Sequence, residues 1–182
     1  MILRPATLAD ARGIAGVHVL TWQAAYRDIV PRAHLDALSI DERALFWQES
    51  IARGSPELWV AESESQVAGW VAFGSSRDSD AAPNTGEVWG MYVLPRYWGT
   101  GTGTGLWCTA QRRLIEGGFT RVTLWVFADN QRAVRFYEAL GLQAQPASEN
   151  EIKIGGRMLK EVRYAMELDS PGFVSRGTRA SL

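Results

Sequence analysis

Glu87-Val-Trp-Gly-Met-Tyr-Val-Leu-Pro-Arg-Tyr-Trp-Gly-Thr-Gly-Thr-Gly-Thr-Gly-Leu106 is the stretch that decides the fold. Residues 87–94 alternate apolar and aromatic groups and read as a long strand. Residues 95–105 form a proline-then-glycine turn, and Leu106–Glu116 reads as a helix ended by Gly117-Gly118. A strand that runs through glycines into a helix start leaves backbone N–H groups unpaired and aimed at one point. The positive end of the helix dipole adds to them. Such a turn suits an anion, above all a phosphate. Gly101 and Gly103 let the backbone approach an oxygen with no side chain in the way.

Outward from this segment, the chain reads as one mixed sheet. Ile2–Arg4 is extended, and Thr7 with Asp10 fits a capping box opening a helix to about Tyr26. Pro31 can open a short second helix. Ser39 caps a third, with Leu45, Phe46 and Ile51 among its apolar positions and Gly54 as its stop. Residues 57–64 and 66–75 read as paired strands, and 77–85 as a polar loop. Residues 120–127 form a β-branched, buried strand, 130–140 a helix, and 142–168 a strand and hairpin turning at Gly155-Gly156. This order predicts an α/β (α+β) domain over residues 1–168 with helices on both faces of its sheet, followed by a loose tail over 169–182.

Composition narrows the function. The 182 residues are 46% hydrophobic and 21% charged, with a net charge of −1, so no nucleic-acid or membrane surface is advertised. No apolar run nears the roughly 20 residues of a membrane span. The polar start argues against a signal peptide, so a cytoplasmic location is expected. A single cysteine, Cys108, excludes an intrachain disulfide and reads as a core residue. Two distant histidines make no metal site, and no metal is expected. Eight tryptophans are many for this length and fit a core or a pocket for an organic ligand.

Three phosphate motifs compete for the turn. The lysine-bearing phosphate loop needs Gly-Lys, and the segment has no lysine. The dinucleotide fingerprint G-x-G-x-x-G puts Thr104 at its third glycine when started from Gly99, and Leu106 when started from Gly101. The third pattern, a strand followed by spaced glycines, resembles the pyrophosphate loop of the GNAT acetyltransferase superfamily, Gln/Arg-x-x-Gly-x-Gly/Ala. Here that loop reads Trp98-Gly99-Thr100-Gly101-Thr102-Gly103, with Trp98 in place of the usual Gln or Arg. Asn130-Gln-Arg-Ala133-Val-Arg-Phe136-Tyr137-Glu-Ala-Leu-Gly141-Leu142 resembles the second signature of the same family, Asn-x-x-Ala-x-x-Phe-Tyr-x-x-x-Gly-Phe/Leu.

The resemblance implies a GNAT-type acyl-CoA N-acyltransferase fold with a mixed, mostly antiparallel sheet. It also implies transfer of an acetyl group from acetyl-CoA to an amine. Implied cofactor contacts are Tyr92, Val93, Trp98, Gly99, Thr100, Gly101, Thr102, Gly103, Thr104, Asn130 and Tyr137. Asn130 would bond the pantetheine arm or cap its own helix. Tyr137 would protonate the leaving thiolate, and a backbone N–H near Val93 would hold the oxyanion. An alkylammonium, with a pKa of about 10.4, needs a base. Glu87 is the candidate, six residues before Val93 and so expected on its face of the strand. Trp22, Tyr26 and Trp89 are candidate acceptor contacts. The expected partner is a small-molecule or amino-acid-like amine, with no nucleic acid and no membrane, and homodimerisation is left open. A non-catalytic acyl-CoA sensor and a protein N-terminal or lysine acetyltransferase are the alternatives.

Overall fold

The computed structural model describes residues 1–168, with only the backbone described at 146 and 147; the expected C-terminal tail lies outside the described residues. The chain runs β1 (Ile2–Pro5), α1 (Ala11–Ala25), α2 (Arg32–Asp36), α3 (Ile40–Arg53), β2 (Glu57–Ser63), β3 (Gln66–Ser75) and β4 (Thr85–Val93). It continues with α4 (Thr102–Glu116), β5 (Arg121–Phe127), α5 (Gln131–Ala139), β6 (Gln143–Ile154) and β7 (Arg157–Glu167). One sheet orders these strands β1-β2-β3-β4-β5-β7-β6. Every neighbouring pair is antiparallel except β4 with β5.

Helices cover both faces, as the sequence order requires. On one face α1 and α3 bring Ile14, Val17 and Trp47 onto Val60, Trp70 and Ala72. On the other, α4 and α5 bring Leu106, Trp107 and Tyr137 onto Val71, Phe73, Val122 and Leu124. The signals at the helix ends act locally. The Asp10 carboxylate accepts from the Thr7 amide at 2.7 Å, Ser39 accepts from the Glu42 amide at 3.2 Å, and Gly54 closes α3 in the left-handed region.

Several sequence expectations need correction. Leu45 and Phe46 are exposed, and the inner stripe of α3 is Ala44, Trp47 and Ser50. Cys108 is exposed on α4 rather than part of the core. Helix α4 begins at Thr102, a turn earlier than Leu106, because a helical glycine lets neighbours come close. An added Cβ at Gly103 would lie 3.3 Å from Phe136, and one at Gly105 3.1 Å from Leu3. Finally, β4 starts at Thr85, so Glu87 lies inside the strand and is only 1% exposed.

A bulge sets the shape of β4. Phe73 faces Val88 while Ala72 faces Gly90, leaving Trp89 as the extra residue. The extra residue flips the alternation. Val88 and Val93 therefore share the α4 face although five residues separate them, and Glu87 and Val93 lie on opposite faces rather than on one.

His18 sits among aromatic rings on the α1 face, with centroids 5.3 Å from Trp22, 5.2 Å from Tyr92 and 5.9 Å from Trp70. Neither ring nitrogen has a hydrogen-bond partner among the described residues. Burial, aided by the charge of Arg43, pushes its pKa down to about 3. The unfolded chain therefore binds a proton that the folded chain refuses. The associated stability is present above pH 6.5 and lost as pH falls toward 3. Asp10, drawn down to about 2 by its bond to Arg4, acts only below its ordinary value of 3.8. Denaturation midpoints should therefore fall from pH 6.5 to pH 4.5 in the parent, and this slope should flatten in His18→Leu. An equal slope in both proteins would remove His18 as its source.

Candidate active site

The glycine turn is built as a cradle. Gly99 and Gly101 have φ of +75° and +87°, and nothing lies within 4 Å of a Cβ placed on either. The first helical bond of α4 runs from the Gly105 amide to the Gly101 carbonyl at 2.9 Å. Among the described residues the amides of Gly99, Gly101, Thr102, Gly103 and Thr104 donate to no backbone acceptor outside helices and strands. Thr100 Oγ1 donates to the Tyr97 carbonyl at 2.7 Å and lies 2.9 Å from Thr102 Oγ1, which fixes the loop from within. This is a fitting receptacle for a pyrophosphate: free donors, no side chain in the way, and a helix start behind them.

Trp98 does not reach outward as a Gln or Arg would. Its Nε1 donates to the Val93 carbonyl at 2.7 Å, and the Arg132 guanidinium stacks over its ring, 3.8 Å from the centroid. Sequence reading missed Arg132, although it lies inside the second signature. The signal was only its charge, two residues after Asn130.

The strands make the second half of the site. Strands β4 and β5 pair only from Thr85 to Glu87 against Arg121 to Thr123. Beyond that they part, and a cavity of about 810 Å³ lies between Val88–Val93 and Leu124–Phe127. The Val93 carbonyl accepts from Trp98 and, at 3.2 Å, from Thr21 Oγ1, neither of them on β3. A strand residue sends its N–H and C=O to the same side, so the Val93 amide also addresses the gap. Asn130 caps α5, its Oδ1 accepting from the Ala133 amide at 3.3 Å, and borders the cavity. Tyr137 borders it from the same helix, only 8% exposed, and burial pushes its phenol well above 10.

The far end of the cavity is aromatic. Tyr26 meets Trp22 edge-to-face at 5.1 Å and Phe127 at 5.0 Å, with Tyr92 beside them. Trp22, Tyr26 and Trp89 all line it, whereas Trp47 packs in the core 4.6 Å from Trp70. Residues from distant segments join them: Arg77 and Asp78 after β3, Asn150, Ile152 and Ile154 on β6, and Glu161 on β7. None carries a local motif, so none is legible from the sequence alone.

Two of the three lining carboxylates are neutralised. Glu87 accepts from the Arg77 amide at 2.8 Å, from its Nε at 3.1 Å, and from its Nη2. Asp78 accepts from Trp125 Nε1 at 3.0 Å and from Arg163 at 3.2 Å. Arg77 in turn lies over the Trp89 ring, 4.5 Å from its centroid.

Cradle, parted strands and capped helix border one continuous cleft. The Acetyltransferase (GNAT) family model matches residues 20–142, and the chain belongs to this family. It is 31% identical over 161 residues to the uncharacterized N-acetyltransferase YuaI of Bacillus subtilis, covering 88% of this chain and 89% of that one. The ribosomal-protein-alanine N-acetyltransferase of Brucella melitensis superposes with a TM-score of 0.73 at 20% identity, over 92% of this chain and all of that one. The PaiA N-acetyltransferase of Thermoplasma acidophilum, solved in complex with coenzyme A, gives 0.70 at 18% identity, over 88% and 96%. These likenesses at low identity confirm the fold.

Because the carboxylate of Glu87 is buried and clamped, its removal should act on stability first. Glu87→Ala should lose on the order of 3 kcal/mol in urea unfolding. Glu87→Gln should leave the pH–rate profile of any measured transfer unmoved. A profile that loses its acidic limb in Glu87→Gln would make Glu87 the base after all.

Proposed function

We propose that this chain is an acetyl-CoA-dependent N-acetyltransferase acting on the primary amine of a small molecule. The unpartnered amides of Gly99, Gly101, Thr102, Gly103 and Thr104, opening into a cavity that continues between the parted strands to Tyr137, carry this reading. Those amides would hold the pyrophosphate, and Arg132, presented on the Trp98 ring, would supply the cation that the loop itself lacks. The free edge of Val93, with Asn130 opposite, would hold the pantetheine arm, whereas the N–H and C=O of Tyr92 are turned to β3. Bound acetyl-CoA supplies an activated acetyl group as a thioester.

The Val93 amide is placed to hold the negative charge that develops on the thioester oxygen. A donor of this kind is worth about 3–4 kcal/mol of barrier. Tyr137 keeps its proton at neutral pH because burial raises its phenol, so it is poised to give that proton to the leaving sulfur. Glu87 fixes Arg77 and the loop that follows β3.

A small acceptor is favoured over a peptide by the roof of the site. The turn of the β6–β7 hairpin touches the start of α2: a Cβ on Gly155 would lie 2.8 Å from the Cβ of His34 and 3.3 Å from Pro31. This contact joins the hairpin to the α1–α2 connection across the aromatic end, where an extended chain would otherwise pass.

Release of free thiol from acetyl-CoA against a panel of amines tests the reaction. Tight coenzyme A binding with no turnover for any amine would favour the sensor alternative. Tyr137→Phe should lower kcat by about 10²-fold or more with calorimetric coenzyme A affinity unchanged. An unaltered kcat would remove Tyr137 from the mechanism. Arg132→Gln should weaken coenzyme A binding by about 10- to 100-fold, the measure of a charge-assisted bond to phosphate. Its effect should shrink as salt rises.

A further inference from the structure

The carboxylate left over in the cavity is Glu161. It stands on β7 opposite Phe127 of β5 and Asn150 of β6, so it shares the sheet face of Phe127, whose ring packs with Tyr26. Its carboxylate is half-buried and makes no hydrogen bond or ion pair among the described residues. The other lining carboxylates differ: Glu87 is held by Arg77, and Asp78 by Arg163. A carboxylate withdrawn from water without a bonded partner is costly, and a cationic ligand would complete it.

We propose that Glu161 receives the ammonium of the acceptor and takes its proton, and that the acceptor is an amine with an apolar body and no neighbouring carboxylate. The body follows from the walls, since Trp22, Tyr26, Phe127, Ile152 and Ile154 surround the same end. The missing carboxylate follows from the cations. Arg77 is already engaged by Glu87, and Arg132 lies by the glycine turn on Trp98, so nothing at the aromatic end would neutralise an amino acid's second charge. The other titratable groups facing this space are Tyr26 from the end of α1, Tyr92 from β4, Tyr137 from α5, and Arg77, Asp78 and Glu87. Burial raises the carboxyl of Glu161 and Arg77 lowers it, with a net rise toward working pH, as a base requires.

The step balances. One N–H bond of the ammonium breaks, its electron pair stays on nitrogen, and the proton forms an O–H bond on Glu161. The freed lone pair forms the N–C bond to the acetyl carbonyl carbon. The C–S bond breaks and its electron pair leaves with sulfur, which takes the proton of Tyr137. The nitrogen's surplus proton restores Tyr137, leaving the amide N–H, and Glu161 returns its proton to water.

This inference rests on the acetyl-transfer reading, and the two can fail separately. With saturating coenzyme A, which cannot acylate, tryptophan fluorescence would follow titrations with hexylammonium, 1-hexanol and the amino acid norleucine. The parent should bind hexylammonium about tenfold or more tighter than either of the others. Glu161→Gln should abolish that preference while coenzyme A binds as before, and Glu161→Asp should restore part of it. With a turned-over amine, Glu161→Gln should lower kcat/KM by about 10²-fold and shift the acidic limb of its pH profile. Equal binding of amine and alcohol by the parent, an amine preference kept in Glu161→Gln, or norleucine bound as well as hexylammonium overturns the proposal. Loss of coenzyme A binding in the parent would instead sink the acetyl-transfer reading.

Discussion

Strands β4 and β5 hold together over three residue pairs, Thr85–Glu87 with Arg121–Thr123, and the site exists because they then separate. Each has another partner that holds it in its own half: β3 along β4, and β7 along the whole of β5. The bulge at Trp89 follows the last paired residues directly, and a bulge bends and twists the strand that carries it. A sheet opened in this way exposes backbone groups that need partners. Thr21 and Trp98 satisfy the Val93 carbonyl, and the matching amide is left to a ligand. The cavity is thus a consequence of pairing geometry rather than a hollow cut from the core.

Electrostatics divides that cavity into two ends. Around the glycine turn the donors are main-chain amides at a helix start, with Arg132 close by, and the potential there is positive. At the aromatic end two carboxylates are cancelled by arginines and the third is not. On the proposed reading, an anionic cosubstrate and a cationic acceptor would be sorted to opposite ends without a large net charge on the protein. The −1 of the whole chain concealed this polarity, because it arises from which charges pair and not from how many there are.

The legible parts of the protein were those written in adjacent residues. The glycine turn, the caps at Thr7 and Ser39, the stop at Gly54, and the hairpin at Gly155-Gly156 depend on local backbone chemistry, and the structure has each of them. The start of α4 was misplaced because glycines read as a loop until Leu3 and Phe136 are known to press on them. The orientation of Glu87 was misread because strand alternation assumes an unbroken strand, and a single extra residue reverses it. Arg77, Asn150 and Glu161 could not be read at all, since they meet only through pairing of strands far apart in sequence.

Trp98 shows how a departure from a family pattern can be absorbed. The family pattern has a polar Gln or Arg at that position. An indole instead offers a donor at one edge and a face that accepts a cation. Here the donor is bound to the Val93 carbonyl and the face to Arg132. The glycine turn is thereby tied to β4 and to the helix that carries Tyr137. Replacing Trp98 with the family's glutamine would restore a polar group while cutting both ties. The tryptophan is therefore better understood as a brace between the two halves of the site than as a lost contact.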